Sequence, residues 1–188
     1  MEAYEAIMKR RTVRKFRQEK IAHEDIIKII DCGRMSASGA NLQPVKYAVA
    51  ETEELCSEIY PYTKWAGYIS GWEPAQNERP VAYIAVLTDT SIKSAEKSEV
   101  DCGSAIADMM IGALSLGIGS CWLGAIDRKN IAKVLNMDEK YHVSYLLALG
   151  YPMQSGETYD MEENDARYYF DENGNVHVPK RTLNDVIV

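Results

Sequence analysis

Residues 98–117 read SEVDCGSAIADMMIGALSLG, and Ala105, Ile106, Met109, Met110, Ile111, Ala113, Leu114 and Leu116 leave a helix here with almost no polar side. A helix on the surface of a globular protein keeps a polar face toward water, so one that is apolar nearly all round is enclosed. It sits either at the centre of the fold or between two copies of the chain. SEVD matches a capping box that begins the helix at Ser98, and Gly117 supplies its end. The 188 residues suffice for one core around such a helix and are too few for two full-sized ones, so residues 1–188 are expected to form a single domain.

The flanking segments supply what covers it. Ala3, Tyr4, Ile7 and Met8 share a face of a first helix that ends before the β-branched Thr12 and Val13. A second helix spans about 23–35, with Ile26, Ile27, Ile29 and Ile30 as its buried side. VKYAVAE and VAYIAVLTD read as strands, ELCSEIY and DRKNIAKVL as short helices, and VSYLLALGYP as a strand closed by Gly and Pro. The stretch 61–80 has weak periodicity and is expected to be a long loop, whose Tyr62, Trp65, Tyr68 and Trp72 either line a ligand site or plug the loop onto the core. Acidic residues 157–165 read as a solvated loop, and YYFDENGNVHVP as a small hairpin around Asn-Gly. Elements of both kinds alternate without a βαβ rhythm, which predicts an α+β fold.

Charge is unevenly spread. The formal net charge is −7, yet 9–20 holds seven basic residues against one acid, Glu19, so that stretch carries +6 and the rest −13. An acidic chain is a poor nucleic-acid or anionic-membrane binder, and the basic island is either a solvated face or a local anion site. Lacking an apolar run of the ~20 residues that span a bilayer, and opening on the polar MEAYEAIMKRR, the sequence predicts a cytoplasmic protein. Cys32, Cys56, Cys102 and Cys121 form no CxxC pair, and His23, His142 and His177 stand far apart, so neither a metal site nor a His-based catalytic set is expected. A GxGxxG after a strand and a GxxxxGK[ST] are both missing, so any phosphate site lies outside the usual phosphate motifs.

Four motifs follow in order: Arg10-Arg11-Thr12-Val13-Arg14-Lys15-Phe16; the loop Ala37-Ser38-Gly39-Ala40-Asn41-Leu42-Gln43-Pro44; LGIGSCWLGA after the apolar helix; and Lys180-Arg181. Each alone is ordinary; the order and register resemble those of the nitroreductase-like flavoproteins, over nearly the whole chain. The resemblance implies a central, mainly antiparallel sheet flanked by helices, with a C-terminal arm docked on the partner subunit of a homodimer. It also implies FMN in a cleft between subunits, with NADH or NADPH as donor and a nitroaromatic, quinone-like or other small molecule as acceptor, reacting by a ping-pong route through flavin N5. By the same resemblance Arg10, Arg11 and Thr12 meet the phosphate and ribityl chain, and Arg14 reaches the pyrimidine edge. Ser38, Gly39, Asn41 and Gln43 form the loop beneath the flavin or at its tail, from the partner subunit. Leu123 and Gly124 supply backbone groups near N5, and Lys180 and Arg181 close around the phosphate. Val45 departs from the aromatic residue that commonly follows Gln-Pro, which alters the acceptor pocket.

Such chemistry fits what the residues lack. Flavin-mediated transfer needs no protein nucleophile, so no catalytic side chain is assigned, and an Arg beside the ring stabilises the reduced form without titrating. A flavin-binding module without turnover, a carrier or sensor, is the alternative reading.

Overall fold

The computed structural model describes residues 2–188. Its elements run α1 (Ala3–Lys9), β1 (Phe16–Arg17), α2 (His23–Arg34), β2 (Val45–Ala50), α3 (Glu53–Ile59), β3 (Ala82–Asp89), α4 (Glu99–Ser115), β4 (Gly119–Leu123), α5 (Arg128–Val134), β5 (Tyr141–Pro152), β6 (Gly156–Asp160), β7 (Tyr169–Phe170), β8 (Val176–Lys180) and α6 (Leu183–Val186). Among the described residues no helix is long and apolar enough to cross a membrane.

The main sheet has the order β1-β5-β3-β2, with β4 also on β5, and every pairing is antiparallel. This is the expected α+β arrangement. Strand β5 is the spine because its apolar run is the longest: β3 lies along one edge, and β4 followed by β1 along the other. Between Val86 and Leu87 the β3–β5 register slips past Ser144, whose hydroxyl is satisfied in the core by Thr88 Oγ1 at 2.9 Å. One sheet face carries Tyr83, Ala85, Leu87, Cys121 and Leu146 under α3, α5 and the 61–80 loop. The other carries Ile84, Val86, Leu147 and Leu149 under α2 and α4.

Helix α4 is packed as its sequence demands, with Cys102, Ala105, Ile106, Met109, Met110 and Ala113 buried. It crosses α2 closely, each helix offering a glycine: a Cβ on Gly112 would stand 2.6 Å from Cys32 Sγ, and one on Gly33 2.8 Å from Met109 Cγ. The capping box is not formed. Ser98 Oγ donates to Ser94 O instead, from a 3-10 turn at Glu96–Ser98, and Asp101 is turned away to another task. Ile27 is exposed while Ile26 and Ile29 are buried and Ile30 packs beside them, because 26, 29 and 30 share one helical face and 27 is turned about 100° away from Ile26. In α1 only Ala6 is buried; Tyr4, Ile7 and Met8 face outward.

The acidic stretch is corrected as well. Half of 157–165 is strand β6, which pairs in parallel with β8, while β7 pairs with β8 antiparallel across the 171–175 turn. Within that strand Glu157 and Asp160 are both exposed but point to opposite faces, Asp160 on the same face as Thr158 and Lys180. The 61–80 segment divides its aromatics: Trp65 is buried on Tyr60, whereas Tyr68 and Trp72 touch Tyr168 and Phe170 of the C-terminal region.

Candidate active site

Residues 10–15 leave α1 in extended conformation because Thr12 and Val13 favour it, and they lie along the start of β4. Val13 N donates to Ser120 O at 2.9 Å, and Thr12 bridges Ser120 in parallel. Gly119 permits this approach, since a Cβ there would stand 2.9 Å from Val13 Cγ2. Phe16, fully buried, ends the segment against Gly150.

The basic residues of this island fall into two groups. Lys9 pairs with Glu5 at 2.6 Å, Lys15 with Glu78 at 3.2 Å and Arg17 with Glu19 at 3.9 Å. Among the described residues, the exposed Lys20 and the half-buried Arg10, Arg11 and Arg14 have no carboxylate partner. Arg11 donates from Nη1 to Arg10 O at 2.7 Å and from Nη2 to Thr158 Oγ1 at 3.0 Å, and its buried Nε has no partner. Burial, then the charge of Arg11, lowers the pKa of Arg10; burial lowers that of Arg11. Two cations are thus crowded and partly desolvated with no anion supplied from the chain.

The small sheet forms the far wall. Thr158 is opposite Val178, and Asp160 is opposite Lys180, so Lys180 lies on the sheet face that meets Arg11. Arg181 is directed elsewhere: Nη1 donates to Asn164 Oδ1 at 2.8 Å. Arg14 donates its backbone N–H to Gln154 Oε1 at 3.2 Å, and its guanidinium lies 4.6 Å from the Tyr168 ring centroid. Gln154 Nε2 is buried without a partner. Gln154, Thr158 and Tyr168 are the members of this cluster that sequence reasoning misses. The one hint is that the strand ending at Tyr151-Pro152 is followed, one residue later, by a polar Gln-Ser-Gly stretch.

At the end of β4, Leu123 is buried opposite Leu146, and Gly124 is exposed. Gly124 O accepts from Ile126 N at 3.1 Å and Arg128 Nη2 at 3.2 Å. A Cβ on Gly124 would meet only Tyr145, at an ordinary 3.6 Å. Nothing within the chain therefore demands glycine here. Beside it Trp122 is partly exposed and held edge-on by Tyr145, centroids 5.2 Å apart.

The 37–44 loop is fixed by a residue sixty positions away. Asp101 of α4 accepts from Ser38 Oγ and Gly39 N, both at 2.8 Å, and pairs with Lys93. Burial would raise its carboxyl, but Lys93, the Gly39 N–H and the Ser38 hydroxyl outweigh this and hold it below the usual range. Gln43 donates from Nε2 to Asn41 Oδ1 at 3.2 Å and from its backbone N to Ser38 Oγ at 3.0 Å. Ala40, Asn41 and Gln43 all have φ between 52° and 54°, a left-handed conformation costly for side-chain-bearing residues. The loop feeds β2, whose Val45 is opposite Thr88 and hence His142, whereas Ser120 beside Thr12 is opposite Leu149. The two regions lie toward opposite ends of β5, roughly 24 Å apart at ~3.4 Å per residue. One copy does not bring all the predicted residues together.

Comparison with known proteins agrees with this architecture. The Nitroreductase family model matches residues 7–151. A provisionally named NADH dehydrogenase/NAD(P)H nitroreductase of Methanothermobacter thermautotrophicus is 28% identical over 173 residues, covering 88% of this chain and 85% of the relative. An iodotyrosine deiodinase of Thermotoga neapolitana is 26% identical over 183 residues, covering 88% of this chain and 96% of the relative. Among solved structures, a provisionally named nitroreductase from Desulfovibrio desulfuricans, crystallised with FMN, superposes with a TM-score of 0.72 at 22% identity over 100% of this chain and 96% of its own. With most of its length matched by the family model, this oxidoreductase chain belongs to the nitroreductase family.

Proposed function

We propose that the chain is a cytoplasmic, FMN-dependent oxidoreductase that passes electrons from NADH or NADPH to a small acceptor and works as a homodimer of one-domain subunits. The observation that carries this reading is the trio Arg10, Arg11 and Arg14, semi-buried and without carboxylates, with Arg11 Nε left unpartnered. A phosphate fits that donor set: forked guanidiniums, the Thr12 hydroxyl and the Lys180 ammonium all offer hydrogen to oxygen. FMN, when bound, supplies the two-electron carrier that the side chains of the site do not contain.

The chain's own residues then have distinct tasks. Arg10, Arg11 and Lys180 hold the phosphate, with Arg181 close by at the edge of the same sheet. Arg14, its backbone fixed by Gln154, holds a permanent positive charge at the flavin's pyrimidine edge, which favours the reduced form. Leu123 and Gly124 present backbone at N5, and the missing Cβ of Gly124 leaves room for the ring. Ser38, Gly39, Asn41 and Gln43 serve the flavin of the partner copy, which explains why they stand a strand's length from the arginines. The outward apolar side chains of Tyr4, Ile7, Val100, Leu183 and Ile187 support pairing of two copies through α1, α4 and the C-terminal arm.

Purified protein is expected to be yellow, or to become so on adding FMN, and to bleach with NADH or NADPH in the absence of oxygen. A chain that takes up no FMN overturns the proposal; one that binds FMN yet is bleached by neither donor is a carrier or sensor.

A further inference from the structure

A cleft of about 770 Å³ opens between the end of β2, α3 and the segment leading into β3, and none of the residues assigned above to the flavin lines it. Two buried polar atoms without partners belong to its lining residues: Arg79 Nε and the Tyr83 hydroxyl. Tyr83 is only 1% exposed. Burial, reinforced by Cys56, Tyr60 and Cys121 around it, keeps its phenol well above the usual pKa, so the hydroxyl remains a donor. Arg79 is held rather than neutralised. Its guanidinium lies 3.7 Å from the Tyr60 ring centroid and its backbone O accepts from Gln18 Nε2 at 3.0 Å, but it has no carboxylate partner among the described residues. Cys56, also in the lining, is already engaged, donating to Ala50 O.

The charges around the cleft narrow the ligand. Glu51, at the wall, is paired with His23 at 3.0 Å, while Glu53 and Lys20 are exposed at the rim. A dianion would meet both carboxylates, and besides Arg79 the cleft offers it only Lys20, whose exposed ammonium is screened by water and offset by Glu53 at the same rim. A trapped water would satisfy hydrogen bonds but leave the Arg79 charge uncompensated. Pro80 and Val81 add an apolar wall. We propose that this cleft is a second binding site, separate from the flavin, for a small organic monocarboxylate whose oxygens take hydrogen bonds from Arg79 and Tyr83 and whose carbon chain lies on Pro80 and Val81.

The test is a titration of the isotope-labelled full chain, saturated with FMN, with sodium butyrate at constant ionic strength, followed through backbone amide shifts. Saturable shifts are expected at 51–57 and 76–83. Tyr83→Phe, which keeps the ring, weakens binding about five- to tenfold, and Arg79→Met weakens it about tenfold or more. Inorganic phosphate does not compete. The site is overturned by shifts that never saturate, by shifts confined to 10–14 or 36–44, or by an affinity unchanged in Tyr83→Phe, a variant that decides the matter even where Arg79→Met fails to fold. Phosphate saturating the same amides as tightly as butyrate overturns the monocarboxylate assignment.

Discussion

The 37–44 loop and the 10–14 segment both belong to the proposed cofactor site, yet their charges are handled in opposite ways. In the loop every strong charge is answered inside the chain: Asp101 holds Ser38, the Gly39 N–H and Lys93, and Ser38 in turn accepts from the backbone N–H groups of Asn41 and Gln43, two of the three residues with left-handed backbone. In the basic segment Arg10, Arg11 and Arg14 are held by packing and by hydrogen bonds to neutral groups, with no anion from the chain. The loop is finished before any ligand arrives. The arginines are not, and under the proposed function their electrostatic balance waits on a bound phosphate. The same protein thus contains one half-site whose loss should register as instability and another whose loss should register as weak binding.

The largest effect is expected at Asp101. Asp101→Ala strands the Lys93 ammonium and two donors in a nearly buried place, and should cost about 3 kcal/mol of stability, read by urea unfolding of the cofactor-free chain. A loss below 1 kcal/mol would remove the contrast. Next come Arg10→Ala and Arg11→Ala, which should weaken FMN binding by about 1.5–3 kcal/mol, measured by flavin fluorescence, while leaving the stability of the cofactor-free chain unchanged or improved. Equal affinity in both variants would return the island to a solvated surface. Gln154→Leu, which removes the acceptor of the Arg14 N–H, should cost about 1 kcal/mol in flavin affinity and lower the flavin reduction potential if it acts through Arg14. Gly124→Ala sharpens the contrast from the other side: stability should hold within about 0.5 kcal/mol, since the new methyl meets only Tyr145, while flavin binding falls.

The smallest effect is in pH. Asp101 has a folded pKa below its unfolded value of about 3.9, so its contribution is full above that value and is lost as pH falls through the lower, folded one. The acid limb of stability should therefore flatten in Asp101→Asn. No corresponding limb is expected from the basic segment, whose arginines stay charged throughout.

The same division explains what the sequence made legible. Helix α4, the buried strand β3 and the spine β5 are readable because burial on all sides leaves an unbroken apolar signature. Arg10 to Arg14 are readable because they form one contiguous motif. Asp101 hides inside a pattern that looks like a helix cap, and its true partners lie at 38, 39 and 93, where no local rule reaches. Gln154, Thr158 and Tyr168 are ordinary surface residue types; Thr158 is carried to the arginines by β6, and Gln154 and Tyr168 by the segments just before β6 and β7, all placed by long-range pairing with β8 that leaves no short-range signal. Ile27 and the outward face of α1 show the reverse error, in which apolar spacing marks a face but not what, if anything, covers it.

The strand order β6-β8-β7 also sets a timetable for synthesis. Its middle strand is the last to be made, so β6 and β7 leave the ribosome with nothing between them, and Thr158 has no framework to present it to Arg11 until the chain has been extended through Lys180. The main sheet is complete once Pro152 has emerged and can fold first, as the earlier part of a nascent chain generally does. A nascent protein therefore acquires its core well before it acquires the wall of the proposed anion site, and capture of the proposed cofactor becomes a late event, gated by translation of β8.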